Sequence, residues 1–285
     1  MRRIRIWDPD AVYHISNRTQ EAKYLFVPDD EFNEIAHKWL KRAVRIYRIE
    51  LYAAVVMGNH FHLLVRAPHL NISKFMQYFQ TNLARAVNKL RKRYDAAVFP
   101  RRFAAEPVLD QPSFDRLLAY VLCNPVAANL VENPEDYPGL TTYPQSIGER
   151  DDGFELAVPP HWRDVDEEKL AEQYIELVSH TVKECAKRRR HRVAGAEKVK
   201  TKKWWRRPKR PKRGRRAFCH GATKLARKRY TTHANQVQTR YRTCMLAWRR
   251  GEAPVFPYGT IPPGWTECVC KARRARMPAD LRIAA

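Results

Sequence analysis

The sequence predicts an α+β fold: a ferredoxin-like antiparallel sheet with helices on one face, plus a basic, partly helical C-terminal extension. Over residues 11–125, apolar residues recur every two residues in some segments and every three or four in others, which predicts strands and helices respectively. The predicted order is β-α-β-β-α-β plus one helix. The net charge is +24, most of it in the second half of the chain. That charge predicts a folded domain followed by a segment that binds polyanions.

The first strand and the first helix are read from residues 11–46. Residues 11–17 are short and rich in β-forming side chains. Asp29 and Asp30 are suitable N-caps for the helix that follows, whose apolar residues recur at three- and four-residue spacing. The chain therefore opens with a strand and an amphipathic helix.

A hairpin and a second helix come next. Strands are predicted over residues 51–56 and 60–65, because Gly-Asn separates two apolar runs. Asn71 or Ser73 can cap a helix whose apolar stripe ends at Leu90. These elements complete the β-α-β-β-α part of the pattern.

The last strand and the extra helix are weaker in pattern. A β-like stretch is predicted within residues 97–109, and Ser113 is expected to cap the helix after it. That helix should end near Asn124, because Pro125 disfavours helical geometry in the residue before it.

The charge distribution suggests three parts. Residues 1–150 carry 21 Lys and Arg against 16 Asp and Glu, whereas residues 151–285 carry 33 against 14. We expect a catalytic domain over 1–145, a Pro/Gly-rich cover and helix over 146–186, and a basic extension over 187–285. The extension should be flexible around 187–217, where basic residues are too dense for a core.

Composition argues against a membrane or secreted protein. No apolar run reaches the roughly 18 residues of a membrane helix, and the N-terminus lacks the apolar region of a signal peptide. The six cysteines form no C-x-x-C pair, which favours reduced thiols in a cytoplasmic protein. A zinc site at Cys219, His220, Cys268 and Cys270 remains open, although the spacing fits no standard site.

His60-Phe61-His62 is the first candidate site. Side chains of a strand alternate between faces, so the two imidazoles lie on one face and Phe61 on the other. Two neutral imidazoles are half of a metal site. Taken alone, the pattern also fits two histidines on a solvated face.

Tyr120 and Asn124 are the second candidate pair. They are four residues apart on a predicted helix and therefore share a face. Asn124 offers a carbonyl oxygen to a hard cation such as Mg²⁺ or Mn²⁺. The Tyr120 phenol could attack a phosphate, but taken alone it also fits a buried aromatic residue against the sheet.

Together these motifs carry a family resemblance. G-N-H-F-H-L-L-V at 58–65 and Y-x-x-x-N-P-V at 120–126 resemble the single-tyrosine transposases of the HUH (His-hydrophobic-His) endonuclease superfamily, in particular the REP-associated branch. Y-H-I-S-N-R at 13–18 and Arg-Arg-Phe at 101–103 resemble further family segments. The resemblance covers roughly residues 10–135.

The resemblance implies roles for four residues. His60, His62 and Asn124 would bind the divalent metal, and Tyr120 would form a transient 5′-phosphotyrosine bond with DNA. The implied partner is single-stranded or hairpin DNA, and the protein would be a monomer or a homodimer. The segment N-P-V-A-A-N departs from the family's N-P-V-R-A-G, so Ala127 lacks one basic contact.

Further basic and aromatic residues are expected to bind nucleic acid. Trp205 and its neighbour Trp204 could stack on bases while the surrounding cations contact phosphates, and RNA would serve as well as DNA. The candidates for this role are Arg18, Arg101, Arg102, Trp204, Trp205, Arg206, Arg207, Lys209 and Arg210.

Two alternatives remain open. The chain could be a catalytically inactive or domesticated relative that only binds DNA or RNA through its basic extension. It could also be a metal-dependent hydrolase in which water, rather than Tyr120, is the nucleophile.

Overall fold

The computed structural model describes residues 4–94, 96–147, 155–208 and 217–270. Its four strands are β1 (Val12–Arg18), β2 (Glu50–Met57), β3 (His60–Arg66) and β4 (Ala104–Val108). Its α-helices are α1 (Asp30–Tyr47), α2 (Ile72–Leu90), α3 (Gln111–Leu122), α4 (Asn124–Ala127), α5 (Tyr143–Ser146), α6 (Glu167–Arg188), α7 (Ala196–Lys200) and α8 (Lys224–Arg249).

The four strands form one antiparallel sheet with the order β2-β3-β1-β4. This order and the element sequence β-α-β-β-α-β are those of a ferredoxin-like fold, and the predicted fold class is confirmed. In the register, His14 of β1 lies opposite Glu106 of β4, and Ser16 lies opposite His62 of β3.

Helices cover both faces of the sheet, whereas they were predicted on one face only. Helices α1 and α2, which were expected, pack over one face, where the core includes Phe32, Phe61 and Phe79. Helices α3 and α6 cover the other face, where Tyr52 and Leu118 are buried. Side chains alternate between the two faces along a strand. Phe61 of β3 therefore points into the core beneath α1 and α2, and His60 and His62 point toward α3.

The caps of α1 and α3 lie at aspartates. Asp29 accepts a hydrogen bond from the Phe32 backbone N–H at 2.9 Å, as predicted for α1. The α3 cap is Asp110, which accepts from the Ser113 N–H at 2.9 Å, so the prediction of Ser113 was wrong. Asn71 precedes α2 but makes no side-chain cap, and its amide donates to the Tyr47 carbonyl instead.

Parts of the C-terminal half pack against the first half. The Trp7 N–H donates to the Gly259 carbonyl at 2.8 Å, and Cys268 is buried in the core beneath α1 and α2. Val199 of α7 is buried in the core beneath α3. These contacts tie segments beyond residue 187 to the sheet domain. Among the described residues, no helix has the length and apolar character to cross a membrane.

Candidate functional site

The site lies on the α3 side of the sheet. His60 and His62 are two residues apart in β3, and their ring centroids are 5.0 Å apart. His62 is buried, whereas His60 is partly exposed. The Tyr120 ring of α3 lies 5.3 Å from the His62 ring, centroid to centroid. The strand histidines and the helical phenol therefore face one another.

Asn124 joins the histidine pair to the tyrosine. It is buried at the first position of α4, directly after the single residue that separates α4 from α3. Its side chain lies close enough to His60 and Tyr120 to shift the pKa of each. Helix α3 ends at Leu122, close to the predicted end near Asn124, but Asn124 itself is helical, contrary to the expectation from Pro125. Pro125 stands in the first turn of α4, where its missing backbone N–H is not needed.

Burial sets the protonation of two of these groups. It lowers the pKa of His60 to about 4, with the charge of Arg18 acting in the same direction and the Asn124 side chain opposing it. His60 is thus neutral at pH 7, as a metal ligand must be. Burial raises the pKa of the Tyr120 phenol, while the Asn124 side chain and the charge of Arg18 lower it. Tyr120 keeps its proton at pH 7, and 41% of its surface is exposed.

Three further residues complete the cluster. His14 and Glu106 were not predicted as site residues, and His220 was considered only for a zinc site with cysteines. His14 Nε2 lies 2.9 Å from His62 Nδ1, and His14 Nδ1 lies 3.2 Å from Glu106 Oε2. His220, in the segment before α8, places Nε2 2.9 Å from the same Glu106 oxygen. His14 lies two residues before Ser16, and Ser16 pairs with His62 across β1 and β3. This spacing places His14 and His62 on the same face of the sheet, but only knowledge of the strand pairing predicts that they are in contact.

Glu106 is a carboxylate held ionised in a buried place. Burial raises its pKa, but hydrogen bonds and charge from His14 and His220 outweigh burial and lower the pKa to about 2. Glu106 therefore carries a negative charge at pH 7 beneath two imidazoles. A buried negative charge with two imidazoles is also a set of ligands for a divalent ion.

The side chains around Glu106 also have the spacing of metal ligands. His14, Glu106 and His220 form a group whose ligand atoms all lie within 4.8 Å of one another, so the protein has a cluster that could hold a metal ion. His220 thus joins this group rather than the cysteines with which its sequence position had suggested a zinc site. The six cysteines have reduced thiols, and in the described part of the chain none belongs to such a group.

The predicted nucleic-acid contacts near the sheet flank the site on two sides. Arg18, at the end of β1, is close enough to His60 and Tyr120 to influence the pKa values of both. Arg101 and Arg102 are exposed and line a groove of about 790 Å³ between β4 and α8. Arg242 of α8 lines the same groove, which is accordingly basic.

The predicted contacts of the extension lie on the side of His60. Trp204 packs against the core, whereas Trp205 is 53% exposed. Arg206 and Arg207 are exposed, and the Arg206 carbonyl accepts from the Tyr24 N–H at 2.9 Å. A pocket of about 190 Å³ is lined by His60 and by Lys202 and Pro208 of the extension, among other residues. Lys209 and Arg210, also predicted contacts, lie outside the described residues.

Residues 9–123 match the family model described as transposase IS200 like. The match spans β1 to the end of α3 and includes the two histidines of β3 and Tyr120. It confirms the family resemblance found in the sequence. A comparison with curated proteins gave no match.

Three solved structures that match this chain have low sequence identity to it. A REP-associated tyrosine transposase bound to a REP hairpin is 15% identical, with a TM-score of 0.45, covering 56% of this chain and 93% of its own. A putative transposase from Deinococcus radiodurans is 20% identical, with a TM-score of 0.30, covering 42% and 95%. The tRNA(His) guanylyltransferase from Saccharomyces cerevisiae is 10% identical, with a TM-score of 0.35, covering 65% and 80%.

Proposed function

We propose that this chain, whose residues 9–123 are an IS200-like transposase domain, cleaves and rejoins single-stranded DNA with Tyr120 as the nucleophile. One observation carries the proposal: the Tyr120 ring of α3 lies 5.3 Å from the His62 ring, centroid to centroid, and His62 shares its face of β3 with His60. A nucleophile and a candidate metal ligand are thereby held within reach of one group on the substrate.

The donor set at His60, His62 and Asn124 fits a divalent ion. His60 Nδ1 donates to Asn59 Oδ1 at 2.7 Å, so Nε2 presents its lone pair. His62 can do the same when its Nδ1 donates to His14. A bound Mg²⁺ or Mn²⁺ would polarise the scissile phosphate and stabilise charge on the departing oxygen.

The chain's own residues account for the rest of the step. Tyr120 Oη forms a bond to phosphorus, the bond from phosphorus to the 3′ oxygen breaks, and the 5′ side of the DNA stays attached to the enzyme. The phenol releases its proton, and the 3′ oxygen takes one up. The Asn124 side chain and the charge of Arg18 both favour the phenolate as it forms, because both lower the pKa of Tyr120. A 3′-hydroxyl can reverse the step, so no external energy source is required.

The proposed substrate is a hairpin or other unpaired DNA, such as a REP hairpin, and an RNA strand is a further possible partner of the basic surface. The exposed Arg101 and Arg102 would contact phosphates in the groove beside β4, and Arg206 and Arg207 would do so on the His60 side. The exposed ring of Trp205 offers a stacking surface for an unpaired base. We also propose residues 1–145 as the catalytic domain and 187–285 as the nucleic-acid-binding extension of a cytoplasmic, nucleoid-associated protein.

The test is covalent capture of DNA. The full chain is incubated with Mn²⁺ and a panel of end-labelled single-stranded hairpins, including repeats from the DNA that flanks the gene. We expect a labelled protein band that survives denaturation, and its loss in Tyr120→Phe, while gel-shift binding stays within about two-fold.

A matched control uses an exposed tyrosine away from the site. Tyr94→Phe should form the adduct as the wild type does, since Tyr94 is 87% exposed and belongs to neither β3 nor α3. If DNA is cleaved without a covalent adduct, and Tyr120→Phe still cleaves it, water is the nucleophile. Binding that needs no metal and is followed by no cleavage would identify a protein that only binds DNA or RNA.

A further inference from the structure

The ligand atoms of His14, Glu106 and His220 have the spacing of a metal's ligand shell. Glu106 Oε2 lies 3.2 Å from His14 Nδ1 and 2.9 Å from His220 Nε2, and the two nitrogens are 3.3 Å apart. An ion about 2.1 Å from each ligand sets edges of about 3.0 Å at right angles and about 3.4 Å at tetrahedral angles. All three measured edges lie close to this range, so one ion could bridge the three atoms without moving the backbone.

Backbone pairing in the sheet fixes the position of each of these three residues. His14 and Glu106 are direct cross-strand partners in β1 and β4. His220 continues the sheet beyond β4: its N–H donates to the Pro107 carbonyl at 2.9 Å, and its carbonyl accepts from the Leu109 N–H at 2.8 Å. These two hydrogen bonds fix the position of the His220 backbone, from which its imidazole extends.

The anchoring of His220 is reinforced two residues further along the chain. Asp110, the cap of α3, also accepts from the Ala222 N–H at 2.7 Å. The segment that delivers His220 is therefore attached both to β4 and to the helix that carries Tyr120. Because His220 lies outside residues 9–123, this cluster depends on the extension in a way that the transposase domain alone could not reproduce.

The cluster shares one hydrogen bond with the proposed catalytic centre. His14 Nε2 and His62 Nδ1 are 2.9 Å apart, and neutral rings place a single proton between them. When His62 Nδ1 carries that proton, His62 Nε2 can ligate an ion and His14 Nδ1 donates to Glu106. When His14 Nε2 carries it, His14 Nδ1 can ligate an ion, but His62 Nε2 is protonated and cannot.

We propose that His14, Glu106 and His220 form a second divalent-metal site and that it is filled in alternation with the His60–His62 centre. The first part stands on the geometry of the three ligands. The second part rests on the proposed function, since it needs His62 as a ligand of the catalytic ion. Two histidines and one carboxylate suit Co²⁺, Zn²⁺, Fe²⁺ or Mn²⁺, and they leave positions open for water or a phosphate oxygen.

The alternation has a functional consequence. A metal that prefers the His14–Glu106–His220 site forces His62 into the tautomer that cannot ligate. Such a metal would inhibit DNA cleavage without competing for the catalytic position itself. The extension would thus give the enzyme an inhibitory metal site.

The experiment counts bound ions by equilibrium dialysis of the full chain against Co²⁺ at pH 7.5. We expect one Co²⁺ per chain in the wild type, one in His60→Asn, one in His220→Asn, and none in the double variant. The exposed His233→Asn on α8 serves as the matched control and should equal the wild type. If circular dichroism shows that His220→Asn or His60→Asn is unfolded, Glu106→Gln or Asn124→Ala takes its place.

Two outcomes overturn the proposal, each in a different part. Loss of all Co²⁺ in His60→Asn would mean that the second site does not exist and that the cluster is only a hydrogen-bonded network around Glu106. Two Co²⁺ per wild-type chain would refute the alternation. Failure of the proposed function is a separate result, because it is measured by the DNA adduct. A chain that forms no adduct can still show the second site, if His60→Asn binds one Co²⁺ and the double variant binds none.

Discussion

At the scale of single residues, the most unusual group is the buried carboxylate of Glu106. Only 7% of the residue is exposed, and its charge is compensated by the imidazoles of His14 and His220. A carboxylate buried in this way is stable only while both partners stay in place. Neither partner is near it in sequence, at separations of 92 and 114 residues.

Glu106 should make the stability of the metal-free protein depend on acid pH. Its folded pKa of about 2 lies below the ordinary value of 4.5, so its stabilising contribution is present above pH 4.5 and disappears as the pH falls toward 2. Glu106→Gln should lower the free energy of unfolding at pH 6 by about 3.5 kcal/mol, because a pKa of about 2 instead of 4.5 stabilises the folded ionised form by that amount. Urea unfolding with a chelator present, at a series of pH values, measures this difference.

The control for Glu106 is an exposed carboxylate. Glu135→Gln removes a similar charge at the surface and should change stability by less than about 0.5 kcal/mol at any pH. A loss in Glu106→Gln that stays constant from pH 6 down to pH 3 would mean that lost packing, and not the ionised carboxylate, accounts for it.

At the scale of elements, the cap of α3 links the helix of Tyr120, the proposed nucleophile, to the extension. The two oxygens of Asp110 accept from the Ser113 N–H and the Ala222 N–H, so one side chain holds the start of α3 and the segment behind His220. Asp110→Ala should cost about 1–2 kcal/mol of unfolding free energy for the cap. It should also lower the rate of adduct formation, because Tyr120 and His220 lose their common anchor.

Asp29→Ala is the matched control for Asp110. Asp29 caps α1 through the Phe32 N–H and pairs with Arg91, on the opposite side of the sheet from Tyr120. It should lose a similar amount of stability in urea unfolding but keep the wild-type rate of adduct formation at 25 °C. Equal losses of rate in the two variants would argue against a special role for the α3 cap.

The contact between residues 7 and 259 tests how firmly the C-terminal half is attached. Gly259 has a φ of +72°, and a Cβ there would lie 2.1 Å from the Trp7 carbonyl oxygen. Gly259→Ala should therefore break the backbone contact and destabilise the protein by more than about 2 kcal/mol in urea unfolding.

Gly251→Ala isolates the steric part of that effect. Gly251 also has a positive φ, +84°, but a Cβ there would meet no atom within 4 Å. It should cost only the backbone strain, about 1 kcal/mol. If the two variants lose the same stability, the approach to Trp7 does not hold the C-terminal half in place.

At the scale of the whole molecule, the net charge and the buried core lie mostly in different halves of the chain. Residues 9–123, which match the transposase IS200 like model, supply the sheet and most of the core, whereas the second half of the chain supplies most of the net charge of +24. Yet Val199 and Cys268 of the second half are buried in the two main cores. The basic surface is therefore positioned by the fold, next to the site, over the residues that the structure describes.

A positioned basic surface should contribute a fixed number of phosphate contacts. Replacing both Arg206 and Arg207 by Gln should weaken binding of single-stranded DNA and reduce the slope of log affinity against log salt by about 1.4, at about 0.7 per contact. Fluorescence anisotropy with a labelled hairpin at several salt concentrations measures the slope. Lys41→Gln with Arg42→Gln removes two exposed charges from α1, and it should leave the slope unchanged.

The sequence by itself determined the parts that depend on local periodicity. Strand alternation placed His60 and His62 on one face, helical spacing placed Tyr120 near Asn124, and the order of the elements predicted the ferredoxin-like sheet. Each of these relations spans only a few residues, or depends on a pattern that repeats along one element.

Only the tertiary structure decided what lies behind those residues. His14 and Glu106 meet because β1 pairs with β4, and His220 joins them because the segment after the basic run docks beside β4. No periodicity in the sequence records such pairings, since they are set by which strands share a sheet edge and by which buried charges must be compensated. The same reason placed α3 and α6 on the second face of the sheet, where burial of Tyr52 and Leu118 required a cover.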